Sequence, residues 1–375
     1  MQKINYSKGL VLAAFSIALF ACQKNIQQVP DANNSDLTNN NLIVTCIPSS
    51  LTNRGTTSIS QARYGLVAAA AGNKIVFARG LNTSNANSGR ADIYNTTTGT
   101  WTTKQLKPLE LSAAAAAGTK IAIAGGFSNT DQFSDQVDIF DVTNDSWSVS
   151  HLSIGREWLA GVGYNNKMYF GGGSAGEIAY ARVDIYDLKT NTWTTSKLSI
   201  ARNSLSAAAA NNKVLFAGGH SNAPSVGEKV EKRVDILDVV TGQWTQSSLS
   251  VERGGMAAAG LGTTIIFAGG SSFNGNYNIA DIYDTNTGLW TTAILSNEGD
   301  GMTAATVGTK MLFCGGAHEV ADVYDICTKT WTTIVLNKAR SSAAAAATDN
   351  KMLIGGGTYD HSPTVDIILN SESIF

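Results

Sequence analysis

Five arginines occupy one repeated position, Arg63, Arg156, Arg202, Arg253 and Arg340, and an aspartate recurs downstream of each, at Asp92, Asp184, Asp235, Asp281 and Asp366. A guanidinium can meet a carboxylate through two parallel N–H donors. The set therefore allows two chemistries: structural Arg–Asp contacts repeated around a ring, or a cationic rim that grips a ligand carboxylate. Leu109 and Gly299 take the arginine position in two further cases, while Asp138 and Asp322 keep the aspartate. Seven copies of the aspartate speak for structure, because a catalytic group is needed once.

Trp158 breaks the pattern at its own position, where the equivalents are Gly65, Leu111, Ser204, Gly255, Gly301 and Ser342. It follows Arg156 by two residues and adjoins Glu157. Such an indole could stack on a sugar ring, or it could plug a central channel by burying its apolar surface. His220, His318 and His361 fall in equivalent loops. Three imidazoles on one face suggest a metal, but no paired ligand spacing supports one, and neither metal nor other cofactor is expected. No Ser-His-Asp elbow, phosphate loop or dinucleotide fingerprint is present, so no catalytic residue is assigned.

The element that positions all these residues is a repeat. A Gly-Gly pair or its equivalent falls at 79–80, 125–126, 172–173, 218–219, 269–270, 315–316 and 356–357; only Arg79 replaces the first glycine. Nine residues after each aspartate comes Trp101, Trp147, Trp193, Trp244, Trp290, Trp331 or Phe375. The Ala-rich runs Leu66–Ala71, Ser112–Ala117, Leu205–Ala210 and Ala343–Ala347 have helical propensity but are too short for stable helices. They read as inner strands a, whose small side chains fit where strands converge on an axis. Runs such as Lys74–Ala78 and Lys213–Ala217 read as strands b, the Asp-Ile-Tyr segments as strands c and the Trp-Thr-Thr segments as strands d.

These units resemble kelch repeats, through the Gly-Gly pairs and the spacing of Tyr94 to Trp101, Tyr186 to Trp193, Tyr283 to Trp290 and Tyr324 to Trp331. The resemblance covers about residues 54–375 and implies an all-β, seven-bladed propeller of four-stranded blades. Unit seven has only Phe375 at its Trp position, and Arg54–Ile59 takes the register of Trp193–Leu198. The N-terminal strand is therefore expected to complete the last blade and remove the open edge. For function the resemblance implies a range from binding scaffolds and intracellular adaptors to sialic-acid mutarotases and copper-radical sugar oxidases, among which fold does not choose. The Tyr/Cys/His set of the copper oxidases cannot be assembled from these residues.

Residues 1–21 combine Lys3 and Lys8 with an apolar run from Leu10 to Phe20, the pattern of an export signal. Leu19-Phe20-Ala21-Cys22 resembles a bacterial lipobox, which makes Cys22 the expected lipidated residue and the membrane the expected anchor. The apolar run is shorter than the ~20 residues that span a bilayer. Residues 22–53 begin with an amide-rich tether that cannot bury enough apolar surface to fold alone; residues 42–50 look strand-like but have no assigned place. Cleavage before Cys22 removes two lysines and no acid, moving the formal charge from −2 to −4. That charge offers no footprint for nucleic acid. Cys46, Cys314 and Cys327 remain, an odd count that does not read as a disulfide framework. Cys314 and Cys327 belong at opposite ends of one blade, so Cys314 reads as a small buried thiol.

The separation from the second glycine to the aspartate is 12, 12, 11, 16, 11, 6 and 9 residues, while the other intervals are nearly constant. Packing fixes the constant lengths, whereas loops on a working face are free to differ. The expectation is a monomeric outer-membrane lipoprotein that binds a protein or glycan through its b–c loops, with Arg156, Trp158, Arg202, His220, Glu228, Lys232 and His318 as contact residues. The alternative is an enzyme acting on a sugar, of the sialic-acid mutarotase type.

Overall fold

The structure is a computed structural model that describes residue 46 and residues 49–372, apart from 129, 131, 224–226, 349 and 358–362. Cys22, His361 and Phe375 lie outside the described residues. Among the described residues there are seven four-stranded antiparallel sheets and no helix. Blade one shows the pattern, with strand a Val67–Ala71, b Lys74–Ala78, c Arg90–Asn95 and d Thr100–Gln105. The Ala-rich runs are the inner strands, fully buried in most blades, as in Ala113–Ala117. Only small residues fit there because neighbouring blades converge, and at Gly260 of blade five even a Cβ would lie 2.3 Å from the Ala209 carbonyl oxygen of blade four.

Each strand-d tryptophan packs on the strand-c residue opposite, at 4.9 Å between ring centroids for Tyr94 and Trp101 and 5.0 Å for Tyr186 and Trp193. Its indole N–H also reaches the preceding blade. Trp193 donates to Ser150 Oγ, Trp244 to Ser196 Oγ and Trp290 to Ser247 Oγ, at 2.8 to 3.0 Å. In each case the acceptor stands three residues after the preceding blade's own tryptophan, a spacing that went unread in the sequence.

Ser49–Ser58 pairs antiparallel with Thr364–Glu372 and becomes the outermost strand of blade seven, so the ring closes as expected. The closing strand starts at Ser49, which gives the last part of residues 42–50 a place. A bulge between Asn53 and Thr56 puts Asn53, not Arg54, opposite Ile368, while Thr56 opposes Asp366. Beyond the bulge the blade contacts are restored, because Thr57 Oγ1 accepts the Trp101 indole at 3.0 Å and Ile59 is buried.

The cysteines require a correction. Cys46 and Cys327 form a disulfide across 281 residues of sequence, whereas Cys314 is the buried free thiol, its pKa pushed up to about 12 by desolvation. An odd count excludes full pairing but leaves one bridge and one thiol. Cys327 lies in the c–d turn of blade six, held by its N–H bond to Asp325 Oδ1 at 2.9 Å. The bridge fastens the chain just ahead of the closing strand to the neighbouring blade.

Candidate binding face and channel mouth

The five repeated arginines lie just before strand a of their blades, on the end of the propeller that carries the b–c loops. Arg156 pairs with Asp184 at 2.7 Å, and Arg202 with Asp235, Arg253 with Asp281 and Arg340 with Asp366 at 2.6 Å each. Arg63 pairs with Asp92 in the same way. All five guanidinium side chains are 0% exposed. Desolvation pulls the pKa of Arg63 down to about 10, opposed by the Asp92 charge, and lowers those of Arg156, Arg202 and Arg253 for the same reason. The second carboxylate oxygen of the aspartate often takes an N–H from the connector that enters the blade, as Ser153 gives Asp184 and Ser199 gives Asp235, at 2.9 Å. This arrangement clamps the d-to-a connector. Arg156 and Arg202 consequently present no donor to the channel, because their charge is used inside the clamp.

Blade two lacks the arginine, and Arg79 of blade one supplies it. Its Nη2 lies 2.6 Å from Asp138 Oδ2, and its Nη1 donates to the Gly125 carbonyl at 2.6 Å and to Ser112 Oγ at 2.7 Å. The sequence signal was present as two neighbouring departures, Arg79 for glycine and Leu109 for arginine. Among the described residues blade six has no such substitute at Gly299, and Asp322 instead accepts both the N–H and the hydroxyl of Ser296.

Two residues beyond each arginine position the chain adopts a left-handed conformation in all seven blades, with φ between 51° and 63° at 65, 111, 158, 204, 255, 301 and 342. Backbone N–H groups pass from blade to blade: Trp158 donates to Leu111, Ser204 to Trp158, and Gly255 to Ser204, at 2.9 to 3.1 Å. A left-handed φ is unfavourable for any residue with a Cβ and most so for bulky ones, so Leu111 and Trp158, and to a lesser degree Ser204 and Ser342, are the strained members of this ring. Trp158 is half-buried and packs against the apolar cluster of blades two to four.

The residues between clamp and ring, Tyr64, Glu110, Glu157, Asn203, Gly254, Asp300 and Ser341, form the channel mouth. Burial pushes the Glu157 carboxyl up to about 7, and the Glu110 charge on the adjacent blade adds to the effect. Burial likewise raises the carboxyls of Glu110 and Asp300. Glu157 is thus able to hold or release a proton near neutral pH. Only its neighbour Trp158 pointed to this place, because the other carboxyls are brought beside it by blade packing.

The b–c loops stand around the mouth as a wall. Asn87 of blade one bonds the Phe127 carbonyl of blade two at 2.8 Å, and Asn222 of blade four bonds the Glu177 carbonyl of blade three at 3.3 Å. The longest of these connections holds the blade-four hairpin, His220–Ala223 paired with Gly227–Val230. In it His220 Nδ1 lies 2.9 Å from Glu228 Oε1, and Glu231 accepts from Ser221 Oγ at 2.7 Å. Lys232 is exposed. Blade six breaks the wall, since strand c starts at His318, separated from Gly316 by one residue. His318 is paired there with Arg340 and is two blades from His220. Among the described residues no group of three His, Cys, Asp or Glu side chains could hold a metal.

These blades, their clamps and the loop wall define a closed seven-bladed propeller with one variable face. A family model described as the KLHDC2/KLHL20/DRC7 Kelch-repeats domain matches residues 31–219, just over half of the chain. The chain belongs to the Kelch-repeat family. A comparison with curated proteins finds no match.

Proposed function

We propose that this protein is an exported bacterial lipoprotein, anchored through Cys22 at the outer membrane, whose propeller binds a protein or glycan across its b–c loop face. The observation that carries this reading is the contrast between a constant scaffold and one variable face. Clamps, ring and indole contacts repeat, while the b–c connections range from the long blade-four hairpin to almost nothing in blade six. The Cys46–Cys327 bridge supports the exported location, because disulfides persist in oxidising compartments. Arg156 and Arg202 shape the mouth from within; His220, Glu228, Lys232, Trp158 and His318 lie on or beside the surface a ligand would meet.

A screen of purified residues 42–375 on glycan and protein arrays supplies the ligand. Replacing residues 222–229 by a short turn should then weaken binding and leave the melting temperature nearly unchanged. Normal binding by that variant, together with loss of binding on altering the opposite c–d turns, refutes the choice of face. For the anchor, Cys22→Ala should move the protein from the membrane fraction to the soluble one.

A second reading, a mutarotase-type enzyme acting on a sugar at the channel mouth, is favoured by Glu157, whose pKa near 7 suits proton transfer at neutral pH. Polarimetry on acidic and neutral aldoses tests it: a mutarotation rate above buffer that Glu157→Gln abolishes supports it, and a buffer-level rate refutes it.

A further inference from the structure

Between the blade-four hairpin and the loop of blade five lies an open cleft of about 330 Å³, lined by Lys229, Lys232, Glu252, Ser272, Phe273 and Asn274 among others. Phe273 leaves 68% of its surface in solvent, although its ring is among the most apolar groups on this face. The His220 ring meets it edge-on at 78° with centroids 6.1 Å apart. His220 is itself steadied by Glu228, and Lys229 Nζ lies 3.4 Å from the buried Glu231 carboxylate. The charges of Lys229 and Glu231 therefore offset each other within the hairpin, while Glu228, 56% exposed, keeps its negative charge wherever His220 is neutral. Lys232 and Glu252 are exposed at the cleft, one charge of each sign.

This chemistry narrows the ligand. The lining carries three carboxylates, Glu228, Glu231 and Glu252, against the two ammonium groups of Lys229 and Lys232, a balance that disfavours an anion. The volume lies at the small end of the ~300–1,000 Å³ range of ligand pockets. One aromatic platform with carboxylate, ammonium and amide groups at its edge suits a molecule with an apolar face and hydroxyls around its rim. A pyranose ring has that form, with C–H groups on its faces and hydroxyls at its edge. We infer that the cleft between the hairpins of blades four and five is a subsite for a neutral pyranose, stacked on Phe273 with its hydroxyls bonded by Lys232, Glu252 and Asn274. The inference rests on the loop face being the binding surface and adds the ligand class and the place.

Saturation-transfer NMR tests it on the full chain with methyl glucoside, galactoside and mannoside as probes, beside methyl glucuronide and an acetylated dipeptide amide. Transfer to at least one neutral glycoside is expected. Phe273→Ala should weaken that binding at least tenfold, Phe273→Trp should retain it, and both should melt like the wild type because the ring is exposed. Absence of transfer to all three neutral glycosides, unchanged binding by Phe273→Ala, or preference for the glucuronide or the dipeptide overturns the inference. If an array ligand is lost on replacing residues 222–229 but kept in Phe273→Ala, the loop face stands and the sugar subsite falls.

Discussion

Arg79 of blade one is ion-paired with Asp138 of blade two, 2.6 Å from Nη2 to Oδ2, in the place that five other blades fill with their own arginine. The two departures are complementary, since the blade that receives Arg79 carries Leu109 where its own arginine would stand. Truncation as Arg79→Ala leaves a buried carboxylate without its cation, a loss of about 3–5 kcal/mol. The double variant Arg79→Gly with Leu109→Arg rebuilds the arrangement of the other blades. Thermal denaturation should show a large fall for the single variant and substantial recovery for the double; no recovery would mean that the two departures are independent.

Ring closure depends on a strand far from its partner in sequence. Deleting residues 49–58 uncovers the edge of Thr364–Glu372 and leaves Trp101 without the Thr57 acceptor. Such an edge pairs readily with another chain. Light scattering should report association of the truncated protein, and a stable monomer would count against the role assigned to this strand.

The disulfide should stabilise the same seam. Cross-links over long loops restrict the unfolded chain, and removal of a native bridge costs about 2–5 kcal/mol. Cys327→Ser and reductant treatment of the wild type should lower the melting temperature alike, with no further effect of reductant on the variant. Equal melting with and without the bridge would show that the ring closes without its help.

Glu157 gives stability a dependence on pH. Its folded pKa, about 7, exceeds the usual 4.5, so folding favours the protonated carboxyl. That stabilisation is complete below about pH 4.5 and is lost as pH rises through 7. Because the group is only half-buried, solvent screening holds the effect to about 1 kcal/mol. The wild type should thus lose more stability between pH 5 and pH 8 than Glu157→Gln does, as read by denaturant midpoints. Parallel pH profiles would exclude a strongly perturbed Glu157.

Trp158 combines an unfavourable backbone with a favourable packing surface. Glycine relieves the left-handed strain by about 1–2 kcal/mol, and loss of the half-buried indole costs a similar amount. Trp158→Gly should therefore change stability by less than about 1 kcal/mol while weakening any ligand that reaches the channel mouth. A large destabilisation would make the indole a structural plug.

Sequence by itself determined the blades. Every blade buries the same faces against the same neighbours, so glycine, aspartate and tryptophan recur at fixed intervals and the number of units can be counted. The small inner strands and the closing function of the N-terminal segment followed from the same register. What only the tertiary structure decided lies between blades: Arg79 reaching Asp138, Cys46 joined to Cys327, the carboxyls of Glu110 and Glu157 brought side by side, and Phe273 meeting His220 edge-on at a cleft. Arg156 and Arg202 show the same division, since their spacing was legible but their burial depended on the connector folded over them. A repeat pattern records contacts that every unit must make, because packing imposes them at one period. A contact made once between particular blades imposes no period, and it becomes visible only when the ring has brought distant residues together.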